Sequence, residues 1–328
     1  MQLQNPTFSK MRFPLILLSL FLVLCACQDN SKLNSDAEAI DIELEVERFD
    51  LEFAKANAGD LPELKSNYPK LFPDQIPDSL WVAKMQSDLQ QEINTEVKES
   101  FPDFKEEAER IEHFFKYVKY YYPDFEIPTV FTLAEEVNYR QKLVLTEDAL
   151  LISLDNYLGK NHKFYKGLAQ YIAFQQDKDF LISDLAEAFA KQKMSRKRSR
   201  TFLSDMVHHS KVLYLKDLLM PFESDAAKIY YSEDQMRWAE ENETQIWSFF
   251  VERNLIYSTD NRLEDRFINL GPYSKFYLEL DNESSPRIGQ YIGWQIVKAY
   301  MEKYPNTNIN ELLELEADVI FKKSKYKP

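Results

Sequence analysis

Between Phe13 and Leu24 the chain is predominantly apolar, and the run closes on Leu24-Cys25-Ala26-Cys27. At 12 residues it is too short to cross a hydrocarbon core of about 30 Å, which takes roughly 20 helical residues. Lys10 and Arg12 precede it, so it reads as the hydrophobic region of an export signal with a positive flank. Leu24 stands three residues before Cys27 with small residues between, a pattern that resembles a bacterial lipobox. Cutting before Cys25 would put bulky Leu24 at the cleavage position, which makes Cys27 the better acylation acceptor. An ordinary secretory signal with an incidental Cys27 is the alternative, and Met11 is an alternative start. The expected organisation is a signal peptide over residues 1–26, an acylated Cys27 with a flexible polar tether to residue 40, and one globular domain over residues 41–328.

This reading limits how the rest can be stabilised. Removal of residues 1–26 leaves Cys27 as the single cysteine, so an exported chain must hold together by packing without an internal disulfide. Aromatic residues at 14% provide bulky apolar surface. A formal charge of −14 argues against a nucleic-acid partner. Acyl chains supply about 0.8 kcal/mol per buried methylene, so the domain needs no membrane-binding face of its own.

Ile42, Leu44 and Val46 alternate with acidic residues, predicting a half-buried strand ended by Arg48-Phe49-Asp50. Prolines at 69, 73 and 77 interrupt regular structure. Helical periodicity is expected near residues 79–93 and 106–121, strand-like runs at 129–133, 143–145 and 151–154, and mostly helix thereafter. Ser232 with Gln235 fits a capping box. Ser285-Pro286 predicts a helix start with proline at its first position. The sum is a helix-rich single α+β domain with a small sheet, without internal repeats.

With six glycines, none in a dinucleotide- or phosphate-binding loop, and no GxSxG or HExxH, the sequence offers no familiar catalytic motif. No cofactor is expected. His113, His162, His208 and His209 are read as surface or satisfied side chains, with His208 and His209 on different faces of a helix. Three features are candidate interaction sites. Lys191, Lys193, Arg196, Lys197, Arg198 and Arg200 concentrate positive charge in an acidic chain, suited to lipid phosphates, glycans or an acidic partner, or to a solvated connection between two helices. Glu279, Asp281 and Glu283 would share one side of an extended strand. That arrangement suits a hard cation, but Ca²⁺ takes six to eight oxygens and no EF-hand spacing is present; the preferred alternative is a Glu283–Arg287 pair or a helix-start carboxylate. Gly289 and Gly293, one turn apart, allow close backbone approach.

The segments Phe250–Asp260, Arg266-Phe267-Ile268, Pro272–Ser284 and Arg287–Val297 resemble the GldB gliding-motility lipoproteins of Bacteroidota. So do Glu47–Asp50, Tyr68–Phe72, Ile152–Gly159 and Lys211–Tyr214 upstream. The resemblance implies an envelope lipoprotein, at the outer membrane on its periplasmic or surface side, that serves gliding linked to type IX secretion. It implies partners among the gliding or secretion proteins and no established reaction. A second resemblance, to gluzincin-type metallopeptidases, would align the HExxH positions with Leu185–Phe189, where both imidazoles are absent. It implies a protease-derived scaffold turned to binding. The alternative function is an atypical metal-dependent hydrolase or peptidase of the envelope.

Overall fold

The computed structural model describes residues 33–195 and 199–328. Cys27, Arg196, Lys197 and Arg198 therefore lie outside the described residues, as does the signal region. The architecture is the expected helix-rich α+β domain with a small mixed sheet. Its four strands are β1 (Val46–Glu47), β2 (Thr129–Leu133), β3 (Leu143–Leu145) and β4 (Ala149–Ser153), in the order β1-β2-β4-β3. β1 and β4 flank β2 in parallel, and β3 pairs antiparallel with β4 at the edge. β4 is buried at four of its five positions, as a strand covered on both faces must be.

The strand expected from Ile42 onward is shorter than its alternation implies. Ile42 and Leu44 do turn inward while Asp41, Glu43 and Glu45 face solvent, yet ladder pairing covers only Val46 and Glu47. Arg48 ends it and precedes the helix Phe49–Lys55, its guanidinium donating two hydrogen bonds of 2.8 Å to the Asp50 carboxylate and one of 2.9 Å to the Phe101 carbonyl. Asp50, 3% exposed, also accepts from Thr132 on β2. The helix thereby closes a separate aromatic cluster of Phe49, Phe53 and Phe72 against Trp81.

The tether also joins the domain sooner than expected. Ser35–Glu38 form one helical turn, Ala37 is fully buried, and Glu38 accepts from His113 at 2.6 Å and Tyr117 at 2.7 Å. Burial of Ala37 and two donors for one carboxylate explain why a polar stretch is ordered against the helix that carries those donors, α1 (Lys105–Tyr121).

Three further helices build the main core: α2 (Leu181–Lys193), α3 (Phe202–Leu219) and α4 (Ile288–Lys303). α3 and α4 pack at their closest where glycine removes the side chain. A β-carbon on Gly293 would sit 2.6 Å from the Met206 carbonyl oxygen, and one on Gly289 would sit 2.9 Å from that of Phe267. The Ser210 hydroxyl fills the remaining space, shared between the carbonyls of Met206 (2.7 Å) and Gln290 (2.8 Å). The two glycines thus serve packing within the chain.

The capping box at Ser232 and Gln235 forms as expected. Ser285 does not cap. Its hydroxyl donates to the Gln235 carbonyl at 2.6 Å, and α4 starts three residues later, at Ile288, after Arg287 in a left-handed conformation, φ +53°. The first helical amide, that of Ile288, instead donates to the Ser274 hydroxyl at 3.1 Å, so a side chain fourteen positions upstream satisfies what a local cap would.

Candidate functional site

A cavity of about 840 Å³ opens where α2, α3, the start of α4 and the β2–β3 connection meet. Each wall follows from local sequence. On α2, Leu181, Ile182, Leu185, Ala186 and Phe189 are buried at helical spacing. That leaves Asp184, Glu187, Ala188 and Lys191, at intervals of three and four, on the cavity side. Asp184 in the first turn and Lys191 in the last also complement the helix dipole. On α3, capped by the Thr201 hydroxyl accepting from the Ser204 amide, the cavity receives His208, His209, Val212, Leu213 and Lys216.

The β2–β3 connection supplies Tyr139, Arg140, Gln141 and Lys142. It is pinned by Asp155, a fully buried carboxylate that accepts from the backbone amides of Glu135 (2.9 Å) and Val137 (2.7 Å). Burial nevertheless pushes the Asp155 carboxyl above its usual range. Val137 sits at φ +52°, a conformation costly for a β-branched residue, of order 1–3 kcal/mol, and held only where neighbouring contacts impose it.

Tyr230 organises the charges. Its hydroxyl donates into the pair Asp184 (2.8 Å) and Glu187 (2.9 Å), and the phenol is driven well above its usual range by burial and by those two carboxylates. Lys216, 1% exposed, lies over the Tyr230 ring at 4.2 Å and donates to Ser183 Oγ (2.9 Å), the Lys228 carbonyl (3.0 Å) and Glu187 (3.4 Å). Burial lowers its ammonium to about 8, with Glu187 and Asp184 resisting. Glu187 is desolvated too, but Lys216, Lys191 and Arg287 outweigh that and hold it far below the usual carboxylate range. Asp184 accepts in addition from Tyr157 at 3.0 Å and pairs with Lys142. Arg287 places its guanidinium 5.2 Å from the centre of the Tyr230 ring. Among the described residues no acceptor hydrogen-bonds that guanidinium.

The candidate residues read from the sequence separate into different places. Lys191 pairs with Glu187 at 2.9 Å and Lys193 lies over the Tyr122 and Phe189 rings, while Arg200 is exposed. The expected extended strand at Glu279, Asp281 and Glu283 is instead a loop closing in a 3-10 turn, Asp281–Glu283. Asp281 spends its carboxylate on the amides of Tyr277 (2.8 Å) and Leu278 (3.1 Å). No ion pair joins Glu283 to Arg287 among the described residues, because Arg287 turns toward the cavity. The loop shows Tyr277, Leu278 and Leu280 to solvent at 73%, 58% and 62% exposure. His208 and His209, expected on different faces of the helix, both reach the lining of this cavity, their rings perpendicular with centroids 5.6 Å apart.

Sequence reasoning missed Asp184, Glu187, Lys216 and Tyr230. The spacing of Asp184, Glu187 and Lys191 was the available signal. Nothing local marked Lys216 or Tyr230. Of the positions aligned with HExxH, the two that would carry the imidazoles, Leu185 and Phe189, are fully buried in the core, and the metallopeptidase likeness finds no support. Among the described residues no cluster of three or more His, Cys, Asp or Glu side chains is placed to hold a metal ion.

Fold and site together define a helix-rich α+β domain with a large charge-lined cavity and a separate exposed apolar loop. The family model for gliding motility protein GldB matches residues 30–328. The chain belongs to the GldB family of gliding motility lipoproteins, and with it to gliding motility. No curated protein and no solved structure matches it. Among the described residues no helix is long and apolar enough to cross a membrane.

Proposed function

We propose that the protein is an envelope lipoprotein, anchored at the outer membrane through acylated Cys27, that supports gliding by binding other motility or type IX secretion components rather than by catalysis. The observation that carries this reading is the loop between Phe276 and Ser284. It holds three large apolar side chains in solvent, and their neighbours Glu279 and Glu283 are exposed carboxylates. Large apolar groups clustered at the surface mark contact sites more often than chance exposure does, and the flanking charge favours a basic partner face.

The chemistry of the cavity agrees with binding. A general base works best with a pKa near the ambient pH, whereas Glu187 is held far below it and Asp184 and Glu187 are each engaged by several donors. The test is photo-crosslinking in gliding cells from a probe at Leu278, compared with a Leu278→Ser, Leu280→Ser double variant. Specific adducts with motility or secretion proteins, lost in the double variant together with gliding while the protein level holds, are expected. Normal gliding and unchanged adducts in the double variant overturn the loop as the contact site. For the anchor, Cys27→Ser is expected to abolish lipid labelling and leave thermal unfolding of the domain unchanged; labelling that persists removes Cys27 from the account.

A further inference from the structure

The cavity between α2, α3 and α4 has a charge pattern that its structural role does not require. Among the described residues five cationic side chains face it, those of Arg140 and Lys191 exposed at its rim and those of Lys142, Lys216 and Arg287 further in, against the two carboxylates of Asp184 and Glu187. This excess sits in a chain of formal charge −14. Both carboxylates are already committed: Asp184 to Lys142 and two tyrosines, Glu187 to Lys191, Lys216 and Tyr230.

Arg287 is the surplus. Its guanidinium carries five N–H donors in a planar fork suited to two oxygens of one anion. It is partly buried, its guanidinium lies 5.2 Å from the centre of the Tyr230 ring, and it is given no acceptor among the described residues. Its backbone is held at φ +53° by the turn that precedes α4, a conformation uncommon for a long side chain and worth noting beside a cavity. The rest of the lining mixes polar side chains, among them Gln175, His208, His209 and Gln290, with an apolar set that includes Leu143, Met194, Val212 and Leu270. The volume falls within the range of about 300–1,000 Å³ usual for small-ligand sites.

We propose that this cavity binds an amphipathic organic anion, whose carboxylate or phosphate is received by Arg287 and whose apolar part lies along Leu143, Met194, Val212 and Leu270. The ligand completes the charge balance that the protein leaves open. A wall of low polarity strengthens the ion pair while it shelters the apolar part of the ligand. This site is separate from the exposed loop, so it stands or falls independently of the partner-binding reading above.

The test is calorimetric titration of the full chain in nanodiscs of zwitterionic lipid, with empty nanodiscs subtracted. The probes are hexanoate, hexyl phosphate, hexanol and inorganic phosphate. One saturable site for hexanoate or hexyl phosphate is expected, with hexanol and inorganic phosphate each weaker by about tenfold or more, since each lacks half of the recognition. Whichever organic anion binds more tightly assigns the head group as carboxylate or phosphate. Arg287→Gln should weaken binding by about tenfold or more and Arg287→Lys by less. Should Arg287→Gln fail to fold, Arg140→Gln serves instead, because Arg140 lines the same cavity, is exposed and has no hydrogen bond or ion pair among the described residues; it too should weaken the anion. Equal affinity for hexanol and the anions, affinity unchanged in the charge variants, or no saturable heat at millimolar anion overturns the proposal.

Discussion

Two clusters of charge flank α3, and they differ in whether their charges are paired. On one side Asp217 and Asp225 face Lys228 and Lys298. Lys228 lies 3.1 Å from Asp217 and 2.9 Å from Asp225, and Lys298 lies 3.1 Å from Asp225 and over the Trp294 ring at 3.6 Å. Trp294 Nε1 donates to Asp217 at 2.7 Å. Among the described residues, the ion pairs join two acids to two bases, and the indole donates to an Asp217 oxygen. Despite burial, Lys228 and Lys298 pull the Asp225 carboxyl down to about 2. On the other side the cations outnumber the carboxylates and Arg287 is left over. A buried charge without compensation is costly. Both clusters border a cavity, of about 420 Å³ and 840 Å³, so the distinction rests on pairing: the ion-paired cluster is explained by folding, whereas the unpaired Arg287 calls for something that enters.

The contrast predicts an order of effects. Asp217→Ala should be the most damaging, at about 3–5 kcal/mol, because it strips a buried lysine of one partner and orphans an indole N–H; denaturant unfolding measures it, and a loss below about 1 kcal/mol would mean the cluster is not the closed network described. Glu187→Gln should cost less, about 1–3 kcal/mol, since Lys216 keeps Ser183 Oγ and the Lys228 carbonyl. If it proves as costly as Asp217→Ala, the two clusters are energetically alike and the distinction fails.

A pH effect follows from Lys216. Its folded pKa of about 8 lies below the ordinary 10.5, so between those values the unfolded chain holds a proton that the folded chain has released. Stability should then rise with pH through that window, the penalty being fully present below pH 8. Raised tyrosine pKa values such as that of Tyr230 act oppositely at higher pH, so the informative quantity is wild type minus Lys216→Met. Unfolding measured across the window should show the rise in wild type alone, and parallel curves would contradict it. The smallest effect is expected for Arg287→Gln, within about 0.5 kcal/mol, because the side chain supports no hydrogen bond among the described residues. A loss of several kcal/mol would make Arg287 a structural residue.

How much of this was legible in the chain depended on whether partners are local. The capping box at Ser232 and Gln235 and the buried face of α2 follow from spacing, and both form. The start of α4 was misplaced because the hydroxyl that satisfies Ile288 belongs to Ser274, while Ser285 is drawn to Gln235. The strand at Asp41 was overlong because alternation reports which face is buried, whereas pairing needs a neighbour, and β2 meets β1 only at two positions. His208 and His209 were assigned to separate faces, correctly for a helix in isolation, yet a wide cavity accepts both. The cavity itself draws Arg140, Asp184, Lys216, Tyr230 and Arg287 from five distant segments. No local pattern signals that convergence. The charge surplus appears only when they are brought together.

The difference between the clusters is tested most directly by ligand-induced thermal stabilisation in two matched variants, Arg287→Gln and Lys298→Gln. A ligand that binds only the folded state raises the unfolding temperature. Hexyl phosphate or hexanoate should therefore stabilise wild type and Lys298→Gln alike and should lose that effect in Arg287→Gln. Stabilisation that survives in Arg287→Gln, or that disappears equally from both variants, would contradict the assignment of one cluster to folding and the other to binding.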